Sequence, residues 1–288
     1  MKSYFSMSEL KNCVATPSEQ TNALRSVAGR GAVRYSVCLK TALTTLAMER
    51  GLMKLMVILP TYNEAENLET MVNALFALPV PDLSVLVVVD NSPDGTGQIA
   101  DDLAKQHPDR VAVLHRPGKL GLGTAYIQGF REAFARGADC ILQMDCDFSH
   151  DPKYIPQMVE RMNTCDCDIV IGSRYAKGGK LDETWSIFRK LLSWWANSVY
   201  VRLILGEKLR DATGGFRLWR REVLQGMDLD RIRSNGYVFQ VETIYVAEKL
   251  GYKVDEIPIY FADRRQGQSK MSFKIQLEAA LRVWQVWL

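Results

Sequence analysis

From residue 55 onwards the apolar positions of this chain fall into a repeating order. LMVILP (55–60) is a short apolar run and predicts a strand. In the TYNEAENLETMVNALFAL that follows, Leu68, Met71, Val72, Leu75 and Phe76 recur at helical spacing, which predicts a turn and then a helix. LSVLVVV (83–89) is apolar almost throughout, as expected of a strand covered on both faces. The order then repeats through the turn NSPDGTG (91–97), a helix over 96–106 and the strand VAVLH (111–115). A Gly-rich turn, a helix over 121–136, the strand CILQM (140–144), a helix over 152–163 and the strand DIVIGS (168–173) complete it. Such alternation predicts an α/β fold, a mostly parallel sheet flanked by helices on both sides.

Outside that stretch the pattern differs. Residues 1–53 have no strand–helix rhythm and no secretory apolar core or cleavage site, so they read as a leader outside the catalytic fold. WSIFRKLLSWWANSVYVRLIL (185–205) predicts a long helix with a wide apolar stripe, interrupted by Arg189, Lys190, Asn197 and Arg202. FKIQLEAALRVWQVWL (273–288) predicts another, with Phe273, Leu277, Ala280, Leu281, Trp284, Trp287 and Leu288 on one face. Five of the six tryptophans lie in these two segments beside Arg and Lys, a pattern suited to a membrane–water interface as well as to packing on the sheet. No run of 18 uncharged apolar residues occurs, so no ordinary membrane span is expected.

Charge and cysteine usage narrow the class. At 288 residues and a net charge of +3, with no Lys/Arg-dense tract, nothing points to nucleic acid. The six cysteines (13, 38, 140, 146, 165 and 167) show no zinc spacing and read as reduced thiols in a cytosolic compartment. Cys165-Asp166-Cys167 reads as a loop before a strand rather than a redox pair.

The candidate chemistry gathers where strands end. In an open parallel sheet, ligands bind beyond the carboxyl ends of the strands. Asp145 and Asp147 follow the strand 140–144, where paired carboxylates suit Mg²⁺ or Mn²⁺ and a metal could stabilise a departing nucleotide diphosphate. An ordinary acidic turn is the competing reading. Ser149 could complete the metal shell, and His150 reads as a turn or capping residue. In PTYNEAEN (60–67), Tyr62 offers stacking and Glu64 an acceptor for a base or ribose, while Asn63, Glu64 and Glu66 also suit a helix start. The loop lacks a Gly-rich phosphate cradle, which argues against a P-loop NTPase or a nucleotidyltransferase. Asp90, at the end of 83–89, suits ribose or base groups. Gly121-Leu122-Gly123 in RPGKLGLGTAY (116–126) lacks the third glycine of a dinucleotide fingerprint and follows the wrong strand; leading Lys119 to a phosphate is the better use of that loop.

PTYNEAENL, NSPDGTG, RPGKLGLGTAY, MDCDFSHDP, GSRY (172–175), DATGGFRLWRREVL (211–224), SNGYVFQVE (234–242) and DRRQGQSKMS (263–272) occur in that order. Together they closely resemble the dolichol- or polyprenol-phosphate mannosyltransferases, family 2 glycosyltransferases of the Rossmann-like GT-A fold. The resemblance spans roughly residues 54–288. It implies a glycosyltransferase domain over 54–262, followed by a basic loop and amphipathic helix over 263–288. It further implies metal-dependent, inverting transfer of mannose from GDP-mannose to a polyprenyl (dolichyl) monophosphate in the bilayer. The enzyme would sit peripherally on the cytoplasmic membrane face through helices 185–205 and 273–288, with a membrane-anchoring subunit as a further partner. By matching position, Pro60, Tyr62, Glu64, Val88 and Asp90 would line the nucleotide pocket, with the Cys146 backbone touching the nucleotide. Asp145 and Asp147, with Ser149 nearby, would hold Mg²⁺ or Mn²⁺; Arg174, Arg264 and Lys270 would contact phosphates. Two departures stand out: Val89 replaces the first Asp usual after the second strand, and Cys146 replaces the usual Ala.

An acceptor phosphate is already anionic at neutral pH and needs little or no general base. The protein must instead align it behind the anomeric carbon and neutralise the leaving diphosphate. Asp147, Arg264 and Lys270 are expected to carry that work, and Asp211, before Thr213-Gly214-Gly215, to orient the acceptor site or its cations. The nearest rival is the same transfer from UDP-glucose or another sugar nucleotide. A non-catalytic sugar-nucleotide-binding subunit and an NAD-dependent oxidoreductase are more remote. A processive polysaccharide synthase would need membrane spans and a Gln-x-x-Arg-Trp motif, and neither occurs.

Overall fold

The computed structural model describes residues 53–206, 209–236 and 238–263. The leader 1–52, Arg264, Lys270 and the segment 273–288 lie outside the described residues.

Nine strands and eight α-helices are described: β1 (Leu55–Thr61), α1 (Ala65–Phe76), β2 (Leu83–Val89), α2 (Thr96–Gln106), β3 (Val111–His115), α3 (Leu122–Ala135), β4 (Cys140–Gln143), α4 (Ile155–Thr164) and β5 (Ile169–Ser173). Then follow β6 (Lys180–Leu181), α5 (Ile187–Trp195), a π-helical segment (Ala196–Val201), α6 (Arg202–Leu205), β7 (Arg217–Arg220), α7 (Arg221–Gly226), α8 (Val238–Lys249), β8 (Val254–Pro258) and β9 (Tyr260–Phe261). Seven strands form one sheet in the order β3-β2-β1-β4-β7-β5-β8, while β6 and β9 pair separately. β1 runs parallel to β2 from Leu55↔Leu83 to Thr61↔Val89 and parallel to β4 from Leu55↔Cys140.

Period-two alternation divides the core between the two faces. Val57, Leu59, Val85, Val87 and Leu142 pack with Leu68, Met71 and Met158. Ile58, Leu86, Val88 and Ile141 pack with Tyr126, Phe130, Trp219 and Phe239. Each such side chain, fully buried, contributes about 1.5–3 kcal/mol.

The alternation from β1 to β5 matches the sequence expectation closely. The departures come later. β7 is antiparallel to both β4 and β5 and sits between them, an insertion that the apolar pattern did not announce. Its sequence, RLWR, begins with an arginine that is itself fully buried, so no apolar run marks it. The region 185–205 is one continuous helical run from Ile187, but Trp185 precedes it and is buried edge-on against Phe261 rather than facing out. Cys165 and Cys167 are joined in a disulfide, against the expectation of reduced thiols, while Cys140 and Cys146 are free and buried.

Candidate functional site

Because β1, β2, β4 and β5 are parallel, their carboxyl ends bring Thr61, Asp90, the segment Asp145–Asp147 and Arg174 to one edge of the sheet. β7 runs the other way, so the loop entering it, Asp211–Gly215, arrives at that same edge. The edge is therefore built from five strands.

On the β2 side, Arg116 Nη1 donates to Asp90 Oδ1 at 2.7 Å, and both side chains are largely buried. Burial pushes the Asp90 carboxyl above the ordinary carboxylate value, and the Arg116 guanidinium only partly offsets it. Arg116 Nη2 donates to Thr124 Oγ1 at the start of α3, while its Nε is buried with no hydrogen-bond partner. The first and second βα loops are stitched together. Asn63 N–H donates to Ser92 Oγ, Glu64 N–H to Thr96 Oγ1 and Ala65 N–H to Asp94 Oδ2. The cap of α1 is thus supplied by Asp94 from the neighbouring loop, and the Glu64 carboxylate accepts from Asn67.

Pro60, Tyr62 and Glu64 are half-buried at the edge, and the Lys119 ammonium lies 4.6 Å from the Tyr62 ring centroid. Of Val88, expected in the nucleotide pocket, only the backbone is left to face the edge. Its side chain is wholly buried in the core on the α3 side, and its carbonyl accepts the Thr61 hydroxyl. Val89 is likewise a core residue, on the opposite face. The Gly121-Leu122-Gly123 turn holds α3 close to its neighbour: Gly123 N–H donates to Asn235 O, and a Cβ at Gly123 would collide with the Ser234 carbonyl and the Phe239 ring.

At the centre, Asp145 is half-exposed and Asp147 is buried. Ser149 turns both its N–H (3.1 Å) and its hydroxyl (2.6 Å) onto Asp147 Oδ1, across a left-handed Phe148 (φ 62°). His150 is neither exposed nor a helix cap. It stacks on Phe216, meets Phe261 edge-on and accepts the Asp145 N–H at Nδ1, which leaves the proton of a neutral ring on Nε2. Cys146 points into the core, where burial pushes its thiol far up, so only its backbone faces the edge. Two carboxylates and a hydroxyl form a hard oxygen donor set that fits Mg²⁺ or Mn²⁺. Among the described residues, the one group of three His, Cys, Asp or Glu side chains within ligating reach is Cys165, Cys167 and Asp255. It precedes β5, away from this edge, and its sulfurs are bonded to each other.

On the β5 side, Arg174 and Asp211 form a closed unit. Arg174 donates to Asp211 through its backbone N–H (2.9 Å), Nε (2.8 Å) and Nη2 (2.7 Å), and Nη2 also reaches Thr213 Oγ1. Burial pushes the Asp211 carboxyl up, but Arg174 and then Arg217 overcome it and hold the group below its ordinary value. Glu256 on β8 accepts the backbone N–H groups of Arg210 and Asp211. The buried Arg217 guanidinium ties down the carbonyls of Ala212, Gly214 and Gln240. Asp211 is therefore committed to Arg174 and unsuited to proton transfer.

Sequence reasoning missed Arg116, Thr213, Asn197, Arg217 and Glu256. Arg116 carried a usable signal, a cation just past a strand end adjacent to that of Asp90, and Asn197 interrupted an apolar stripe; Thr213, Arg217 and Glu256 carried none. Beside this unit, none of the residues of α5 is buried, and Ile187, Phe188, Leu191, Leu192, Trp194 and Trp195 are exposed large apolar side chains. No helix among the described residues is long and apolar enough to cross a membrane.

The profile of glycosyl transferase family 2 matches residues 56–227. An undecaprenyl-phosphate mannosyltransferase of Micrococcus luteus is 46% identical over 231 residues, which cover 80% of this chain and 93% of that protein. A polyprenol monophosphomannose synthase of Mycolicibacterium smegmatis is 43% identical over 237 residues, 82% of this chain and 88% of that one. Among solved structures, glucosyl-3-phosphoglycerate synthase of Mycobacterium tuberculosis with Mn²⁺, UDP-glucose and phosphoglyceric acid superposes with a TM-score of 0.59 at 18% identity, covering 84% and 80% of the two chains.

Proposed function

Since the chain belongs to glycosyl transferase family 2, we propose that this glycosyltransferase moves mannose from GDP-mannose to a polyprenyl monophosphate, inverting the anomeric carbon. The observation that carries the reading is the 46% and 43% identity, over four-fifths of the chain, to an undecaprenyl-phosphate mannosyltransferase and a polyprenol monophosphomannose synthase.

The residues at the sheet edge divide the work. Asp145, Asp147 and Ser149 hold Mg²⁺ or Mn²⁺, which supplies positive charge to the departing diphosphate when bound. Pro60, Tyr62, Glu64, Asp90 and the Cys146 backbone grip the nucleoside, and Lys119 leans from the Tyr62 ring towards its phosphates. Arg174 keeps Nη1 outside its bonds to Asp211 and Thr213 and offers it to a phosphate oxygen. Arg264 and Lys270, by their match to the family pattern, would add further positive charge for the phosphates. An anionic acceptor needs no base, which fits a site whose acceptor-side carboxylate, Asp211, is already saturated.

The acceptor's prenyl chain lies in a bilayer, so the enzyme has to work at a lipid surface. The apolar face of α5, with Arg189 and Lys190 beside it, is suited to rest at the headgroup level of the cytoplasmic leaflet. The apolar stripe read from sequence in 273–288 and an anchoring subunit would add to that hold. The test is to incubate the full chain with a panel of sugar nucleotides, Mg²⁺ or Mn²⁺ and a polyprenyl phosphate, and analyse the lipid phase. A mannosyl lipid formed from GDP-mannose and lost with chelator is expected. Preference for UDP-glucose would replace the donor, and absence of any lipid product would overturn the reading.

A further inference from the structure

We propose that Asn197 and Tyr175 are positioning residues that tie the lipid-facing helix to the Arg174–Asp211 unit, so that docking on a bilayer raises the transfer rate. The inference rests on the membrane reading above and adds a mechanical consequence to it.

The helical run from Ile187 to Leu205 has two unlike faces. Outward it shows Ile187, Phe188, Leu191, Trp194, Trp195 and Leu203. Inward it carries Ser193 and Asn197, four residues apart and so on one face. Asn197 is only 2% exposed. It is the second residue of the π-helical segment Ala196–Val201, a wide turn of the kind that recurs at functional sites. Its Nδ2 donates to the Ser193 carbonyl at 3.0 Å, which orients the amide, and its Oδ1 accepts the Thr213 N–H at 3.1 Å.

Thr213 lies in the loop that enters β7, and its hydroxyl accepts from Arg174 Nη2 at 2.8 Å. A second link runs alongside: the Tyr175 hydroxyl and Ser193 Oγ are 2.6 Å apart, and Tyr175 follows Arg174 directly. The inner face of the helix thus holds both flanks of the cation that offers Nη1 to a phosphate. Lipid can favour one position of the helix only by binding it better there than elsewhere. The outer apolar face supplies that difference, and Asn197 and Tyr175 pass the chosen position to Arg174.

The test separates docking from its consequence. Full-length enzyme is given GDP-mannose, Mg²⁺ or Mn²⁺ and a short prenyl phosphate that stays dissolved, with or without empty vesicles of phosphatidylcholine and phosphatidylglycerol. Vesicles should raise the parent kcat about tenfold, as a shift of the helix towards its docked position would. Asn197→Ala should sediment with vesicles as the parent does and keep the parent's KM for GDP-mannose, yet lose most of the stimulation. Tyr175→Phe, which deletes only the hydroxyl link, should lose part of it and serves if Asn197→Ala folds poorly. Full stimulation of both variants, or a parent that binds vesicles without stimulation, would overturn the coupling. A parent that fails to bind vesicles would instead overturn the membrane reading, and the coupling with it.

Discussion

Two aspartate–arginine pairs flank the Asp145–Asp147 segment in the order of the strands; burial pushes both carboxyls up, but the net shifts are opposite because only Arg174 outweighs it. Asp211 accepts three hydrogen bonds from Arg174 and sits below its ordinary value. Asp90 accepts one from Arg116, has an unpartnered Arg116 Nε beside it, and sits above its ordinary value. The first pair is saturated and acts as a fixed mount for Arg174. The second is left short of donors, which is the state expected of a carboxylate waiting for a ligand's hydroxyl or N–H groups. Similar residues thus form a saturated pair on one side and, on the other, a pair suited to the proposed nucleotide recognition.

That division puts the charge-handling chemistry between the two pairs, and the largest effect is expected there. Asp147→Ala should lower lipid-phase mannosyl transfer by about 10³-fold, because it removes the buried member of the oxygen donor set proposed to hold the metal at the leaving diphosphate. The thermal unfolding of the variant, read alongside, separates loss of turnover from loss of fold. A variant within tenfold of the parent would move the charge stabilisation elsewhere.

The next effect is on stability. Asp211→Asn leaves Arg174 buried beside a neutral amide and should cost about 3–5 kcal/mol in urea unfolding at neutral pH. Asp211 is held below its ordinary value, so its stabilisation is present above the ordinary carboxylate range and is lost as pH falls through its folded value. The gap between parent and variant should therefore shrink below about pH 4. A gap independent of pH would show that the pair does not act as a charged unit.

The two sides also differ in how far they could be read from sequence. The Asp90 side is made of successive βα units, where apolar runs mark the strands and each candidate residue stands just past a run. That is why Tyr62, Glu64, Asp90, Asp145 and Asp147 could be read from the sequence as candidates at one sheet edge. The Arg174 side depends on β7, whose first residue is an arginine buried by bonds to three backbone carbonyls. A strand of that kind has no hydrophobic signature, and so the partnership of Asp211 with Arg174, 37 residues apart, left no trace in spacing. Val88 shows the converse limit of position matching. Its place by resemblance pointed to the pocket, but alternation along β2 turns its side chain into the core.

A smaller effect separates the exposed apolar face of α5 from the Asp90 side. Phe188 is 76% exposed on α5. Phe188→Ser should weaken sedimentation with anionic vesicles about tenfold, through loss of one apolar side chain from the interface. Its thermal stability and its KM for GDP-mannose should stay at parental values. Equal vesicle binding by parent and variant would assign that face to some other cover.

The smallest effect tests the open side at its rim. Lys119 is exposed, and its contact with the Tyr62 ring at 4.6 Å is of the kind worth little in water. Lys119→Met should raise the KM for GDP-mannose only about threefold, since an exposed cation near a phosphate is screened by salt and replaced by solvent ions. The loss should fade as ionic strength rises, whereas the effect of Asp147→Ala should not. Tyr62→Leu removes the ring on which Lys119 rests, so in the double variant the two losses should not add. Strict additivity would mean that Lys119 reaches the phosphates without Tyr62 as its support, and that the rim on the Asp90 side is less ordered than its stitched loops imply.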